Sequence, residues 1–137
     1  MAIALTKYTC FKTDIGLAVH NLNTATIKAA LTNTAPNIAD TVFSTGVYPA
    51  PAAANNYTAL GHDTTNVYSA GKMTGTDITI TATAGGIGPF RYIIIYNDDA
   101  ASDQLIGYYD YGSAITLADT ETFVIDFDAG AGILTIT

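Results

Sequence analysis

Residues 77–83, Asp-Ile-Thr-Ile-Thr-Ala-Thr, alternate between apolar and polar side chains. Successive side chains of a β-strand point to opposite faces, so the two isoleucines and Ala82 would face a core while the threonines face solvent. The same alternation recurs near the end of the chain, where Phe123, Ile125 and Phe127 point to one side. Both stretches predict half-buried strands, each covering one side of a hydrophobic core.

Similar stretches occupy most of the chain after residue 25, and clusters of Gly, Asn and Asp separate several of them. The predicted strands are Thr26–Thr32, Tyr57–Gly61, Val67–Lys72, Asp77–Thr83, Phe90–Asn97, Leu105–Tyr111, Ile115–Leu117, Thr122–Asp128 and Ile133–Thr137. Many short strands without strong helices between them are typical of an antiparallel β-sandwich. We therefore expect an all-β domain over residues 26–137, and jelly-roll and immunoglobulin-like topologies remain equally compatible.

The first 25 residues have a weaker pattern. Phe11, Ile15 and Leu22 approximate helical spacing, but Gly16 weakens a helix there, so a short helix and an extended arm fit equally well. A second irregular stretch, residues 46–56, is rich in Pro, Ala and Asn and is interpreted as a surface loop.

Length and charge restrict the class of protein. The chain has 137 residues, 49% of them hydrophobic and 12% charged, with a net charge of −7. These values predict one folded domain and disfavour phosphate-rich partners, so we expect no nucleic acid and no anionic membrane surface among its partners. The apolar runs are too short to cross a bilayer, and residues 1–7 do not have the pattern of a signal peptide. The single cysteine, Cys10, allows no internal disulfide, so a soluble, reducing compartment is expected.

The residue types used in catalysis do not form a recognisable motif. His62 and Asp63 are adjacent and could act as an acid/base pair, although a strand-end histidine beside a solvated carboxylate explains them as well. The serines lie outside any Gly-x-Ser-x-Gly motif. We therefore predict no enzyme activity, no catalytic residues and no cofactor.

Two loops look superficially like ligand sites. Asp98, Asp99 and Asp103 could offer oxygen ligands to calcium, but their spacing does not match an EF-hand and acidic residues also favour turns. Residues 85–88, Gly-Gly-Ile-Gly, lack the Lys-Ser/Thr ending of a phosphate-binding loop and are interpreted as a hairpin connection. We predict no metal site.

The tyrosines of the stretch 105–111 are the candidate interaction surface. Tyr109 and Tyr111 share one face of the predicted strand and Tyr108 takes the other. Tyrosine suits recognition because it combines a large contact area with a polar hydroxyl, and it can stack on sugars, although one face could equally pack in the core. Arg91, the only arginine, could pair with Asp110 on a neighbouring strand or simply point outward.

Several stretches, in the same order along the chain, resemble small structural proteins of tailed bacteriophages. They are Ile27–Pro36, Ile87–Asp98, Leu105–Gly112 and Ile115–Phe127. The resemblance implies a virion protein, and among such roles decoration of the outer capsid surface fits a small acidic β domain best, since negative charge would be repelled by packaged DNA. It further implies assembly in the host cytoplasm, the major capsid protein as partner and a dimer or trimer of the chain itself. The alternative is a tail or fibre module that contacts the host, with a glycan as a candidate ligand. No catalytic residues are carried over.

Overall fold

The computed structural model describes residues 3–51 and 55–136, which contain one short helix and ten strands. In chain order the elements are β1 (Thr6–Lys7), α1 (Cys10–Gly16), β2 (Ile27–Thr32), β3 (His62–Asp63), β4 (Val67–Ser69), β5 (Lys72–Thr74), β6 (Ile78–Thr81), β7 (Ile87–Asn97), β8 (Leu105–Leu117), β9 (Thr122–Ile125) and β10 (Leu134–Thr135). Every pairing between these strands is antiparallel, which confirms the predicted all-β sandwich-like fold with a short helix.

The strands form three sheets. The largest has the order β1-β8-β7-β2-β3, and two smaller sheets have the orders β10-β5-β4 and β6-β9. The main core lies between the large sheet and the two small ones, and it includes Ile93 and Ile95 of β7 together with Met73 of β5. The two alternating stretches that predicted a core face are confirmed, because Ile78, Ile80, Ala82, Phe123, Ile125 and Phe127 are all buried.

The large sheet is also covered on its other face. Ile94 and Tyr96 of β7 point away from the main core into a second, smaller cluster, which Phe43 and Tyr48 cover. The Phe43 ring is stacked on Tyr96 with 4.1 Å between centroids. Because Tyr48 is buried, the prediction of a surface loop over residues 46–56 is wrong for this part of it, and residues 52–54 lie outside the described residues. Burial on both faces explains the unbroken apolar run 93–96 within β7.

The helical alternative for the N-terminal segment is confirmed by α1. Phe11 of the helix and Leu22 beyond it are buried in the main core. Tyr8, just before the helix, lies in the second cluster instead. The segment therefore packs as part of the domain and contributes to both cores.

Two predicted strands are wrong because the backbone takes a positive φ where the chain must turn. Residues 57–61 do not form a strand, and Gly61 at their end has φ +83°. The α-carbon of Gly61 lies so close to β2 that an added Cβ would be 2.4 Å from the Ala29 carbonyl oxygen. The predicted strand Val67–Lys72 is divided into β4 and β5, since Ala70 and Gly71 have φ of 53° and 78° and form the turn between them.

Three further predictions are corrected by the strand register. The predicted strands Leu105–Tyr111 and Ile115–Leu117 are not separate, because β8 runs without a turn through residues 112–114, and a bulge leaves Arg91 of β7 opposite all of residues 111–114. Residues 85–88 are not a hairpin connection, since β6 pairs with β9 and not with β7. Strand β9 ends at Ile125, so Asp128 lies in a turn, where its Oδ1 accepts hydrogen bonds from the following backbone.

Candidate functional site

The three tyrosines predicted as an interaction surface separate in the structure. Tyr108 lies on one face of β8 and Tyr109 on the other, as their alternation predicted. Tyr109 is 5% exposed and its hydroxyl donates to the Ile133 carbonyl oxygen at 3.3 Å, so it is a core residue. Tyr111 is 44% exposed and packs edge-on against Phe123, on the side of the main core. The structure therefore does not bring the three rings together.

Tyr108 is accompanied by a tyrosine that the sequence reasoning missed. Tyr92 of β7 lies beside it, with ring centroids 6.5 Å apart and planes at 74°. The buried ring of Tyr8 packs edge to face against the ring of Tyr108, with 5.5 Å between their centroids. The register places Tyr92 directly opposite Asp110, two residues from Tyr108. We call the partly exposed group Arg91, Tyr92, Tyr108 and Asp110 the tyrosine patch.

The charged members of the patch form a two-point ion pair. Arg91 donates from Nε to Asp110 Oδ1 at 2.8 Å and from Nη2 to Asp110 Oδ2 at 3.0 Å. Asp110 Oδ1 also accepts the Gly112 N–H at 2.8 Å, which holds the bulge of β8 in place. The hydrogen bonds from Arg91 and Gly112 lower the pKa of Asp110, and the same pair raises the pKa of Arg91. The charged-pair alternative for Arg91 is thus confirmed.

The tyrosine patch combines aromatic rings with N–H donors that Asp110 does not occupy. The Arg91 Cζ lies 5.3 Å from the centroid of the Tyr92 ring, within the range of a cation–π interaction. A guanidinium carries five N–H donors, so after two bonds to Asp110 it still offers three in a fixed orientation. The ion pair also leaves the patch without net charge. It can bind an uncharged polar surface by stacking and hydrogen bonding, and its four side chains supply no activated nucleophile.

The histidine–aspartate pair is not assembled. His62 and Asp63 are neighbours on β3 and point to opposite sides, the imidazole toward Tyr57 with ring centroids 5.6 Å apart and the carboxylate toward solvent. Asp63 Oδ1 accepts the Thr65 N–H at 2.8 Å. Burial lowers the pKa of His62. His62 therefore packs against Tyr57 and Asp63 caps a turn, and the two side chains make no acid/base contact.

The three loop aspartates have separate roles. Asp98 pairs with Lys28 at 3.0 Å, and Asp99 accepts the Thr26 N–H at 2.7 Å, so both fix the start of β2 to the turn after β7. Burial, and then the charge of Asp98, raises the pKa of Asp103. Within residues 3–51 and 55–136 we find no group of three or more His, Cys, Asp or Glu side chains placed to hold a metal ion.

No family model, no curated protein and no solved structure matches the sequence or the fold. In the described part of the chain, no helix has the length and apolar character needed to span a membrane.

Proposed function

We propose that this chain is a structural protein of a tailed-bacteriophage virion, and that it decorates the outer capsid surface and stabilises the shell by bridging neighbouring capsid subunits. The stretches that resemble such proteins supply β2, β7, β8 and β9, which include the three central strands of the large sheet. The net charge of −7 favours the outside of a shell that contains DNA.

The observation that carries the proposal is the tyrosine patch. Tyrosine and arginine are enriched where proteins bind one another, and they dominate the binding energy when their neighbours hold them rigid. Tyr8 and the Asp110 carboxylate hold Tyr108 and Arg91 in this way. Contacts with several subunits at once would then make an assembled shell a much stronger ligand than a free subunit.

The test mixes the purified protein with undecorated expanded shells and, separately, with free capsid subunits, and measures co-sedimentation and particle images. We expect saturable, symmetric density on the outer shell and weaker binding to subunits. Tyr92→Ala should weaken shell binding about tenfold or more. Tyr111→Ala is the matched control, since it removes a partly exposed tyrosine from the opposite face of the sheet, and it should change binding less than about twofold. Shells left bare by the wild-type protein would overturn the proposal.

The second candidate is a tail or fibre module that binds a host glycan. The neutral patch favours it specifically, because sugars stack on aromatic rings and hydrogen-bond to fixed donors such as the remaining N–H groups of Arg91. Binding to host cells that neutral sugars compete away, weakened by Tyr92→Ala and accompanied by bare shells, would favour this function over decoration.

A further inference from the structure

A recess of about 430 Å³ lies beside the C-terminal end of α1, and none of the tyrosine-patch residues lines it. Its walls come from three parts of the chain: the end of α1 with the turn after it, Tyr68 of β4, and Ile136. The Tyr68 N–H donates to Asn23 Oδ1 at 3.2 Å, and the Ile136 N–H donates to the Gly71 carbonyl oxygen at 2.8 Å. These bonds hold the walls in place, and the volume lies within the range of small-molecule sites, about 300–1,000 Å³.

The polar side of the recess presents hydrogen-bond donors in fixed orientations. Asn21 and Asn23 both line it. Asn21 Oδ1 accepts the backbone N–H groups of Asn23 and Thr24, each at 3.2 Å, and Asn23 Oδ1 accepts the Tyr68 N–H. Because each amide oxygen is bound to the backbone, each amide NH2 group is the part of the side chain that remains for a ligand. The Tyr68 hydroxyl adds a group that can both donate and accept.

The lining of the recess carries no formal charge. The described residues that line it include no Asp, Glu, Lys or Arg. Its histidine, His20, accepts at Nδ1 from Asn97 Nδ2 at 3.1 Å, an orientation fixed by the bond from the Asp99 N–H to Asn97 Oδ1. Burial lowers the pKa of His20, and the Asp14 carboxylate 3.9 Å from its Nε2 partly opposes this shift. A cation would meet N–H donors, and an anion would meet Asp14 and a chain of net charge −7, so a neutral ligand is favoured.

The opposite side of the recess is apolar. It is formed by Ile15, Ala18 and Leu22, and Tyr68 contributes an aromatic ring that is partly buried against the main core. A ligand that fits both sides needs a non-polar face and several hydrogen-bonding groups around its edge. A hexopyranose has this form, because its ring C–H groups pack on aromatic rings while its hydroxyl oxygens accept from N–H donors.

We propose that this recess binds one neutral sugar residue of the hexopyranose class, with its C–H face on Tyr68 and its hydroxyl groups on the amides of Asn21 and Asn23. The site is separate from the tyrosine patch, and the proposal does not rest on capsid decoration. A non-polar ligand of the same size would leave both amide NH2 groups without a partner, so the two donors select a sugar over a hydrocarbon ring.

The test is an NMR titration of the purified, 15N-labelled chain with methyl α-D-glucopyranoside and, separately, with methyl β-D-galactopyranoside. We expect saturable shifts of the backbone amides of residues 15–23 and of Tyr68, with a dissociation constant of about 1–10 mM for at least one glycoside. Cyclohexanol, a six-membered ring with a single hydroxyl group, should bind at least about threefold more weakly because it offers fewer acceptors.

Asn21→Ser tests the donors, since it removes the amide NH2 group and keeps an oxygen that can accept the bonds of the turn. It should raise the dissociation constant about threefold to tenfold. Asn37→Ser is the matched control: Asn37 Oδ1 also accepts a backbone N–H within a turn, that of Ala39 at 3.1 Å, but Asn37 does not line the recess. This control should change the dissociation constant less than about twofold.

A second measurement does not depend on the variants folding. Intermolecular nuclear Overhauser effects should connect the ring C–H protons of the bound glycoside with the Tyr68 ring. Absence of saturable shifts with both glycosides, shifts confined to the tyrosine patch, cyclohexanol binding as tightly as the glycosides, or equal effects of Asn21→Ser and Asn37→Ser would each overturn the proposal. No shells or host cells are present, so these outcomes are read separately from those that test the proposed function.

Discussion

Phe123 connects the small β6-β9 sheet to the main core, and its truncation to alanine tests the packing of the fold. The side chain is 8% exposed. Its ring lies edge to face against Phe90, with 5.1 Å between centroids, and against Tyr111 at 5.8 Å. The ring therefore joins β9 to both long strands of the large sheet.

The expected loss of stability follows from this packing. Truncating a buried phenylalanine costs about 3–5 kcal/mol, of which the two ring pairs account for about 0.5–1.5 kcal/mol each. Because β9 belongs to a two-stranded sheet that can partly close the cavity, we expect about 3–4 kcal/mol. With an unfolding entropy of about 2.1 cal/mol/K per residue, the Tm should fall by about 10–14 °C.

Guanidinium unfolding followed by circular dichroism measures the effect, with the m-value checked for constancy. The control is Val124→Ala on the same strand, since Val124 points outward and is 44% exposed, and it should change stability by no more than about 0.5 kcal/mol. A loss below about 1 kcal/mol for Phe123→Ala would refute the packing argument.

Three further predictions concern other parts of the domain. Burial lowers the pKa of His20, with Asp14 partly opposing it, so the unfolded chain binds more protons than the native state, and the free energy of unfolding should fall as the pH drops below about 6.5 until it passes the native pKa. The variant His20→Gln should flatten this slope between about pH 7 and 5.5, and an unchanged slope would contradict the assignment. Tyr48→Phe removes the hydroxyl that accepts from buried Tyr8 at 3.2 Å and should cost about 1–3 kcal/mol in denaturant unfolding, whereas a loss under about 0.5 kcal/mol would show that Tyr8 finds another partner. Gly61→Ala should cost about 2–4 kcal/mol, because Gly61 has φ +83° and its new Cβ would meet backbone at 2.4 Å; Gly16→Ala, with nothing within 4 Å, is the control and should be neutral or stabilising by thermal melting.

The strands that alternate in the sequence could be predicted because each has one face in the core. The alternation over Ile78–Thr81 and Thr122–Ile125 fixes which side chains are buried, but it does not say that these two strands pair with each other, about 40 residues apart. Pairing at that distance depends on the whole core, which local periodicity does not contain. The turn at Ala70 was missed for a different reason: a non-glycine residue with positive φ gives little local signal.

The candidate site was predictable in part. Arg91 and Asp110 could be paired from the sequence because each is a charged residue within a predicted strand of the same region. The position of Tyr92 next to Tyr108 depends on the pairing register between β7 and β8, which the sequence alone does not give. The register shifts between Ile95 and Tyr96, so counting back from the turn after Asn97 would not have put Tyr92 beside Tyr108.

The topology of the large sheet also determines when the protein can fold during its synthesis. Strand β1 pairs with residues of β8 about 100 positions later, and β2 pairs with residues of β7 about 60–70 positions later. At a translation rate of about 5–20 residues per second, the N-terminal strand waits about 5–20 seconds for its partner to leave the ribosome. The first half of the chain therefore emerges without the strands that would cover Tyr8 and Ile27, both buried in the finished domain. The large sheet can therefore be completed only after β7 and β8 have been synthesised, because β1 pairs with β8 and β2 pairs with β7.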